Sequence, residues 1–118
     1  MKTNALTDSE IIAKHSPDAR ARARMELDIV NKLIDTARDA GYQMKISEYE
    51  EDGETDYDFK TAAFNLDDAR VFVYDNDGEK LGWVRLVFGN SGYDLVSDFT
   101  TNLEDFLGPV TDLADSLG

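Results

Sequence analysis

The sequence predicts an α+β fold of two layers, with a long N-terminal helix, an antiparallel meander sheet of three or four strands, and a C-terminal helix. Three observations lead to this prediction. Apolar residues recur every three or four positions up to Ala40, short strand-like segments separated by turns and an acidic loop follow between 42 and 99, and helical spacing returns after 101. Helices that flank hairpin-connected strands pack economically on one face of the sheet. The 118 residues have room for one hydrophobic core, so we expect one domain over 1–118.

The long helix is predicted to begin at Ser16 and to end at Gly41. Ser16 suits the N-cap, Pro17 suits the first helical position, and glycine suits the residue after the last turn. The expected buried stripe contains Ala23, Leu27, Val30, Leu33, Ile34 and Ala37. Thr7-Asp8-Ser9-Glu10 has the spacing of a capping box, so residues 1–15 are expected to form a short helix or to be flexible.

Four strands are predicted before the tail, and turns containing glycine separate the later ones. They cover 42–46, Arg70–Tyr74, Leu81–Phe88 and Tyr93–Phe99. The strand from Leu81 is apolar on both faces near its end and is expected to be central. The segment 60–68 fits either a strand or a helical turn. The tail, 101–117, carries a helical stripe that is interrupted around Gly108-Pro109, because proline disrupts a helix interior.

Charge is the most unusual property of the chain, which has a formal net charge of −13. Residues 1–45 hold eight bases and seven acids, whereas 46–118 hold four bases and eighteen acids, with no base after Arg85. Such a surface repels nucleic acid and anionic membranes and attracts basic proteins. We therefore expect no direct binding to nucleic acid or membrane. No apolar run has the length of a signal peptide or a membrane span, and the expected location is the cytoplasm.

The segment Glu48–Asp58 holds seven acids in eleven residues and no base. One interpretation is an acidic interface for a basic protein, with two tyrosines that suit an interface. The residues expected to contact that partner are Glu48, Tyr49, Glu50, Glu51, Asp52, Glu54, Asp56, Tyr57 and Asp58. The other interpretation is a solvated loop that only maintains solubility. Further acids are expected to line one edge of the sheet with this segment, namely Asp67, Asp68, Asp75, Asp77 and Glu79.

No catalytic residue, metal site or cofactor is expected. The chain has no cysteine, which excludes a thiolate zinc site and a cysteine nucleophile. His15 is the single histidine, and beside a helix boundary it is expected to be a surface or capping residue. Asp75-x-Asp77-Gly78 matches part of a calcium loop, but Val73 and Val84 occupy positions that need oxygen ligands, so an ordinary hairpin turn is expected.

Three further features have structural interpretations. Arg20, Arg22 and Arg24 are spaced by two, which places them on different sides of a helix, so we expect them to pair with nearby acids. Gly82 interrupts a strand and indicates a bulge or a close backbone approach. Gly89-Asn90-Ser91-Gly92 is rich in glycine but neither precedes a helix nor matches a phosphate loop.

Three segments carry a resemblance to a known group of proteins. They are Ala40-Gly41-Tyr42, Asp75-Asn76-Asp77-Gly78 and the stretch from Val84 to Asp98. On these residues, the chain from about Leu27 to Leu117 resembles small acidic proteins encoded by phages and other mobile elements of proteobacteria. The resemblance implies no activity and no site residues. Mobile elements often encode acidic inhibitors of host defence nucleases, among them anti-CRISPR and anti-restriction proteins that imitate the charge of DNA, and the analogy rests on setting and charge alone.

The expected function is therefore a non-catalytic inhibitor that presents the acidic surface around 48–58 to a basic, nucleic-acid-binding host protein. The alternative is a structural or regulatory module that meets a partner, or its own copy, through an apolar surface. The feature that favours this alternative is the C-terminal stripe, although core packing explains the same pattern: Leu103, Phe106, Leu107, Val110 and Leu113. A small enzyme is the third class, and it would require a ligand or metal that shifts the melting temperature.

Overall fold

A computed structural model describes residues 7–47 and 68–118. The predicted acidic segment and the unassigned segment up to residue 67 lie outside the described residues. The helices and strands are α1 (Asp8–Ala13), α2 (Arg20–Ala40), β1 (Gln43–Ser47), β2 (Asp68–Tyr74), β3 (Lys80–Val87), β4 (Val96–Phe99) and α3 (Gly108–Leu117). Short 3₁₀ turns cover Pro17–Ala19 and Thr101–Leu103. The predicted α+β class, with a long N-terminal helix, an antiparallel sheet and a C-terminal helix, is confirmed.

The capping box predicted at the start of α1 is present. The Glu10 N–H donates to Thr7 Oγ1 at 3.2 Å, and the Thr7 N–H donates to Glu10 Oε1 at 3.1 Å. These reciprocal bonds satisfy two of the N–H groups that a helix start leaves unpaired. Ile11 and Ile12 of α1 are buried in a small cluster with Ala23 and Leu27 of α2. The N-terminal segment is therefore packed on the long helix from α1 onwards.

The helical run begins at Pro17 after Ser16 and ends before Gly41, as predicted, but its first turn is 3₁₀ rather than α. Ser16 makes no side-chain cap hydrogen bond, and the chain first forms a 3₁₀ turn in which the Ala19 N–H donates to the Ser16 carbonyl at 2.9 Å. That tighter turn satisfies the backbone locally, so the α-helix begins only at Arg20. At the other end Gly41 has φ of 77°, a left-handed conformation that glycine adopts without a steric cost.

The sheet has the strand order β1-β2-β3-β4, with every neighbouring pair antiparallel. The strand β3 is interior, as predicted. Side chains alternate along each strand, and one face contributes to the main core while the helices α2 and α3 cover that face. The buried core residues are Ile29, Val30, Leu33, Ile46, Ala69, Val71, Val73, Val84, Leu86, Leu95, Leu103, Leu107 and Val110. The predicted stripe of α2 is confirmed except at Ile34, which is only partly buried.

Gly82 marks both a register shift and a close approach. Val73 pairs with Gly82 but Tyr74 pairs with Lys80, so β3 contains one extra residue between the two pairs. A Cβ built on Gly82 would overlap Oγ1 of Thr100 and would lie 3.1 Å from its Cβ. The same Oγ1 accepts a hydrogen bond from the Trp83 N–H at 3.1 Å. The close approach expected from the sequence is therefore present, and it holds the end of β4 against β3.

Two predictions about the last third of the chain are wrong. The fourth strand begins at Val96 rather than Tyr93, because Gly89 and Gly92 have φ of 92° and 97° and the chain turns until Asp94. The Ser91 N–H donates to Asp94 Oδ1 at 3.1 Å and closes that turn. The Gly108-Pro109 pair starts α3 instead of interrupting it. Proline is tolerated in the first turn of a helix, where its missing N–H would have no partner.

Candidate protein-binding surface

The nine residues predicted to contact a partner all lie between 48 and 58, outside the described residues. Their two flanks are described. β1 ends at Ser47, β2 begins at Asp68, and Ser47 pairs with Arg70 in the antiparallel register. The predicted acidic segment therefore belongs to the connection between two neighbouring strands.

The last third of the described chain forms a second acidic region. After Arg85 there is no base, and six carboxylates follow that are all exposed: Asp94, Asp98, Glu104, Asp105, Asp112 and Asp115. Asp98 lies opposite Arg85 in the pairing of β3 with β4. No ion pair between described residues includes any of the six. These carboxylates consequently present negative charge to solvent without a cation bound to them.

The described bases that follow Arg38 lie on the face of the sheet that the helices do not cover. After Arg38, every lysine and arginine that the structure describes lies on this face, and three of them stack on aromatic rings. Lys45 Nζ lies 5.2 Å from the ring centroid of Tyr74, the Arg70 guanidinium carbon 4.6 Å from that of Trp83, and Lys80 Nζ 4.2 Å from that of Phe72. Such cation–π contacts attach the cations to the sheet. Asp68 and Asp98 share this face with the bases, since Asp68 pairs with Arg85 and Asp98 lies opposite it, so the separation of the described charges is partial.

The expectation that the remaining acids line one edge of the sheet is wrong. Asp68 is the first residue of β2, whereas Asp75 and Asp77 follow its last residue, Tyr74. Seven extended residues span roughly 20 Å, so these acids lie at opposite ends of the strand. In the turn, Asp75 Oδ1 accepts hydrogen bonds from the N–H groups of Asp77 and Glu79, each at 2.9 Å, which confirms a hairpin turn.

Asp68 is instead paired with Arg85 across the strands. Arg85 Nε donates to Oδ1 at 3.0 Å and its terminal nitrogen donates to Oδ2 at 2.5 Å. The hydrogen bonds from Arg85 hold the pKa of Asp68 below its ordinary value. Because both side chains are about half exposed, 43% for Arg85 and 52% for Asp68, solvent screens the pair strongly.

Replacing Asp68 by asparagine is expected to lower the melting temperature slightly at neutral pH. A carboxylate whose folded pKa is depressed contributes stability above its unfolded pKa near 3.8, and the contribution is lost as pH falls through the folded pKa. The difference between wild type and Asp68→Asn should therefore vanish in acid. Thermal unfolding followed at several pH values measures it, with Asp112→Asn on α3 as the exposed control. A difference in melting temperature that persisted in acid would contradict the stabilising role of the ionised Asp68 carboxylate.

The three arginines of α2 take different roles. Arg22 Nε lies 3.4 Å from Glu26 Oε1, in agreement with the expected pairing with an acid. Arg20 Nε donates to the backbone carbonyl of His15 at 3.3 Å, and Arg24 has no ion pair within the described chain. Arg20 and Arg24 are four residues apart and both border an open crevice of about 400 Å³ between α1 and α2. The expectation that all three lie on different sides is wrong for this pair.

The sequence interpretation missed Glu26, the buried charged residue among those described. Its side chain is 1% exposed, and Oε2 accepts a hydrogen bond from the Gly89 N–H at 2.8 Å. Burial raises the pKa of Glu26, against the opposing hydrogen bond from Gly89 and the charges of Arg22 and His15. One signal was present in the sequence: Glu26 lies three residues after Ala23 and four before Val30, within the apolar stripe.

The loop from Gly89 to Gly92 is docked on α2 beside Glu26. A Cβ on Gly92 would lie 3.1 Å from both the Arg22 carbonyl oxygen and Met25 Cβ, and the φ of 97° at this position also favours glycine. Gly92 is buried, whereas the next residue, Tyr93, is 44% exposed and is the exposed large hydrophobic side chain of the described chain. Docking of the loop therefore sets the position of an exposed aromatic side chain.

His15 is half-buried, and its Nδ1 lies 2.9 Å from the carbonyl oxygen of Ile11, which agrees with the predicted capping role. Over residues 7–47 and 68–118, no group of three or more His, Cys, Asp or Glu side chains is placed to hold a metal ion. No helix in those ranges combines the length and the apolar character that crossing a membrane requires.

Comparison with known proteins found no matching family model, no matching curated protein and no matching solved structure.

Proposed function

We propose that this chain is a non-catalytic, protein-binding inhibitor that presents acidic surface to a basic, nucleic-acid-binding protein inside the cell. The observation that carries the proposal is the segregation of charge. The six carboxylates after Arg85 are exposed, and five of them lie outside the strands, while the later bases are gathered on the uncovered face of the sheet, which they share with Asp98. The segment 48–58 adds seven further acids to the same half of the chain.

The charge distribution favours one class of partner. A net charge of −13 creates a field that repels phosphate backbones and draws in basic surfaces, and the attraction acts over about a Debye length, roughly 8 Å at physiological salt. A groove that binds nucleic acid carries rows of Arg and Lys, which a set of fixed carboxylates complements. If the chain belongs to a phage or another mobile element, the partner is a host defence nuclease, in the manner of anti-CRISPR or anti-restriction inhibitors.

The apolar-interface alternative has less to support it. Within the C-terminal stripe, Leu103, Leu107 and Val110 are buried in the main core, and Phe106 packs against the same core. Most of the stripe is therefore buried in the core and is not available to a partner. Among the described residues, Tyr93 is the large apolar side chain that is exposed, and one aromatic side chain supplies a contact rather than an extended apolar face.

The proposal is tested by affinity capture of the tagged chain from a proteobacterial lysate at low and high salt, with the captured proteins identified by mass spectrometry. We expect a basic, nucleic-acid-binding protein that is captured at low salt and lost at high salt. Changing Glu50, Glu51, Asp52, Glu54 and Asp56 to their amides should abolish capture. Capture of only a second copy of the chain, or of a partner that stays bound in high salt, would instead support the apolar interface.

A matched pair of variants separates the position of the charges from their number. Asp105→Asn, Asp112→Asn and Asp115→Asn together remove three charges from the acidic C-terminal third. Asp28→Asn, Asp35→Asn and Asp39→Asn remove three charges from α2. If the C-terminal carboxylates contact the partner, the first set should weaken binding on the order of tenfold or more, about 1.4 kcal/mol, and the second much less. Equal losses would show that only net charge matters.

A further inference from the structure

The loop Gly89–Gly92 is joined to α2 by one buried carboxylate. Glu26 Oε2 accepts the Gly89 N–H at 2.8 Å, and the backbone of Gly92 lies close against Arg22 and Met25. The side chain of Glu26 is 1% exposed in this arrangement. If the loop moves away from the helix, the carboxyl group loses both its hydrogen bond to Gly89 and its cover from water. The protonation of Glu26 and the docking of the loop are therefore coupled by geometry.

The ionised carboxylate is incompletely satisfied in the docked loop. Glu26 Oε1 and Arg22 Nε are both buried and neither makes a hydrogen bond, although they lie 3.4 Å apart. Burial of the ionised carboxylate costs free energy, which the charge of Arg22 and the hydrogen bond from Gly89 offset only in part. The neutral group still offers Oε2 to the Gly89 N–H. Protonation of Glu26 is therefore more favourable in the docked state than when the side chain is exposed to water.

We propose that Glu26 acts as a proton-linked clasp: the 89–92 loop is docked on α2 most firmly when the Glu26 carboxyl is protonated and opens more readily when it ionises. The clasp is a property of the fold and stands apart from the proposed inhibitor function. Opening of the loop would also move Tyr93, because this residue follows Gly92 directly and is 44% exposed.

The direction of the pH effect follows from linkage. Burial raises the pKa of Glu26 in the docked state above its ordinary value near 4.5, to which it returns when the loop opens and the carboxyl meets water. The state with the higher pKa binds the proton more tightly, so acid favours docking. The gain in docking free energy begins as pH falls through the docked pKa and is complete below the ordinary value. It is lost again as pH rises.

Two basic side chains near Glu26 act in the opposite direction, whereas a carboxylate on the side of the loop acts in the same direction as burial. Arg22, on the same helix, and His15, from the segment before it, both favour the ionised carboxylate. On the side of the loop, Asp94 accepts the Ser91 N–H and contributes a negative charge two residues beyond Gly92.

Two NMR measurements test the clasp on the full chain. The first follows the carboxyl carbon of Glu26 through a pH titration and needs no variant. The second measures hydrogen exchange of the Gly89 amide between about pH 4 and pH 7, corrected for the intrinsic exchange rate, since protection reports local opening. We expect Glu26 to titrate above 4.5 and Gly89 to be several-fold better protected in acid.

The variant Glu26→Gln keeps the shape of the side chain and removes its ionisation, so protection of Gly89 should become independent of pH. His15→Gln should leave the dependence in place. The proposal is overturned if Glu26 titrates at or below 4.5, if acid lowers the protection of Gly89, or if Glu26→Gln retains the wild-type dependence. Should Glu26→Gln fail to fold, the wild-type titration decides alone.

Discussion

Replacing Gly82 by alanine is expected to destabilise the protein by about 1–3 kcal/mol or more, because the new methyl group enters occupied space. Its Cβ would overlap Oγ1 of Thr100 and lie 3.2 Å from Asn102 Oδ1. Neither neighbour moves freely. Thr100 Oγ1 accepts the Trp83 N–H, and the Asn102 side-chain amide donates to the Leu81 carbonyl at 2.5 Å. Relief of the overlap therefore breaks a hydrogen bond that joins the end of β4 to β3.

Urea unfolding of Gly82→Ala and wild type measures the loss. Gly78→Ala is the matched control, since Gly78 has φ of 85° but a Cβ there meets nothing within 4 Å, so only backbone strain of about 1–2 kcal/mol is expected. In a Thr100→Ala background the overlapping oxygen is absent and Gly82→Ala should cost less. An equal cost in both backgrounds would mean that Thr100 is not the obstacle.

Leu33→Ala is expected to have the largest effect of any single truncation in α2, about 2–5 kcal/mol. Leu33 is 0% exposed and lies in the main core, where α2 packs against the sheet. Its truncation removes buried apolar surface and leaves a cavity that neighbours such as Val30 can fill only in part. At this magnitude a domain of ordinary stability loses a large share of its unfolding free energy.

The matched control is Lys32→Ala on the adjacent, exposed position of the same helix. Alanine is an excellent helix former and Lys32 makes no ion pair with a described residue, so a change within about 0.5 kcal/mol is expected. Chemical unfolding of both variants gives the two free energies. Similar losses for Leu33→Ala and Lys32→Ala would contradict the packing of α2 on the sheet.

The local elements follow from the sequence because their causes are local. The reciprocal bonds of Thr7 and Glu10 join residues three apart, and Gly41 and Gly78 supply the positive φ that their turns require. Period-two alternation identified β1, since successive side chains of a strand point to opposite faces, and the turn residues between apolar runs separated β2 from β3. The predicted element boundaries were wrong by a few residues where the sequence allows two local conformations: a turn or a strand at Tyr93, and a helix interruption or a helix start at Gly108.

The arrangement of side chains at the candidate site depends far less on neighbouring residues in the chain. Charge counting singled out the acidic half of the chain, because net charge is a sum over residues and needs no structure. It did not reveal that Lys45, Arg70 and Lys80 stack on rings across the strands, since the register of pairing brings them together. Nor did it reveal that Arg20 and Arg24 border one crevice.

The fold class, the helix ends marked by capping residues, and the excess of acid over base all follow from residues near one another or from composition. The environment of single side chains instead depends on how the layers pack. Glu26 lies within the apolar stripe of α2, but its hydrogen-bond donor, Gly89, is 63 residues away and reaches it only when the loop docks. Gly82 meets Thr100 for the same reason. Contacts between residues distant in the chain exist only after the layers have packed.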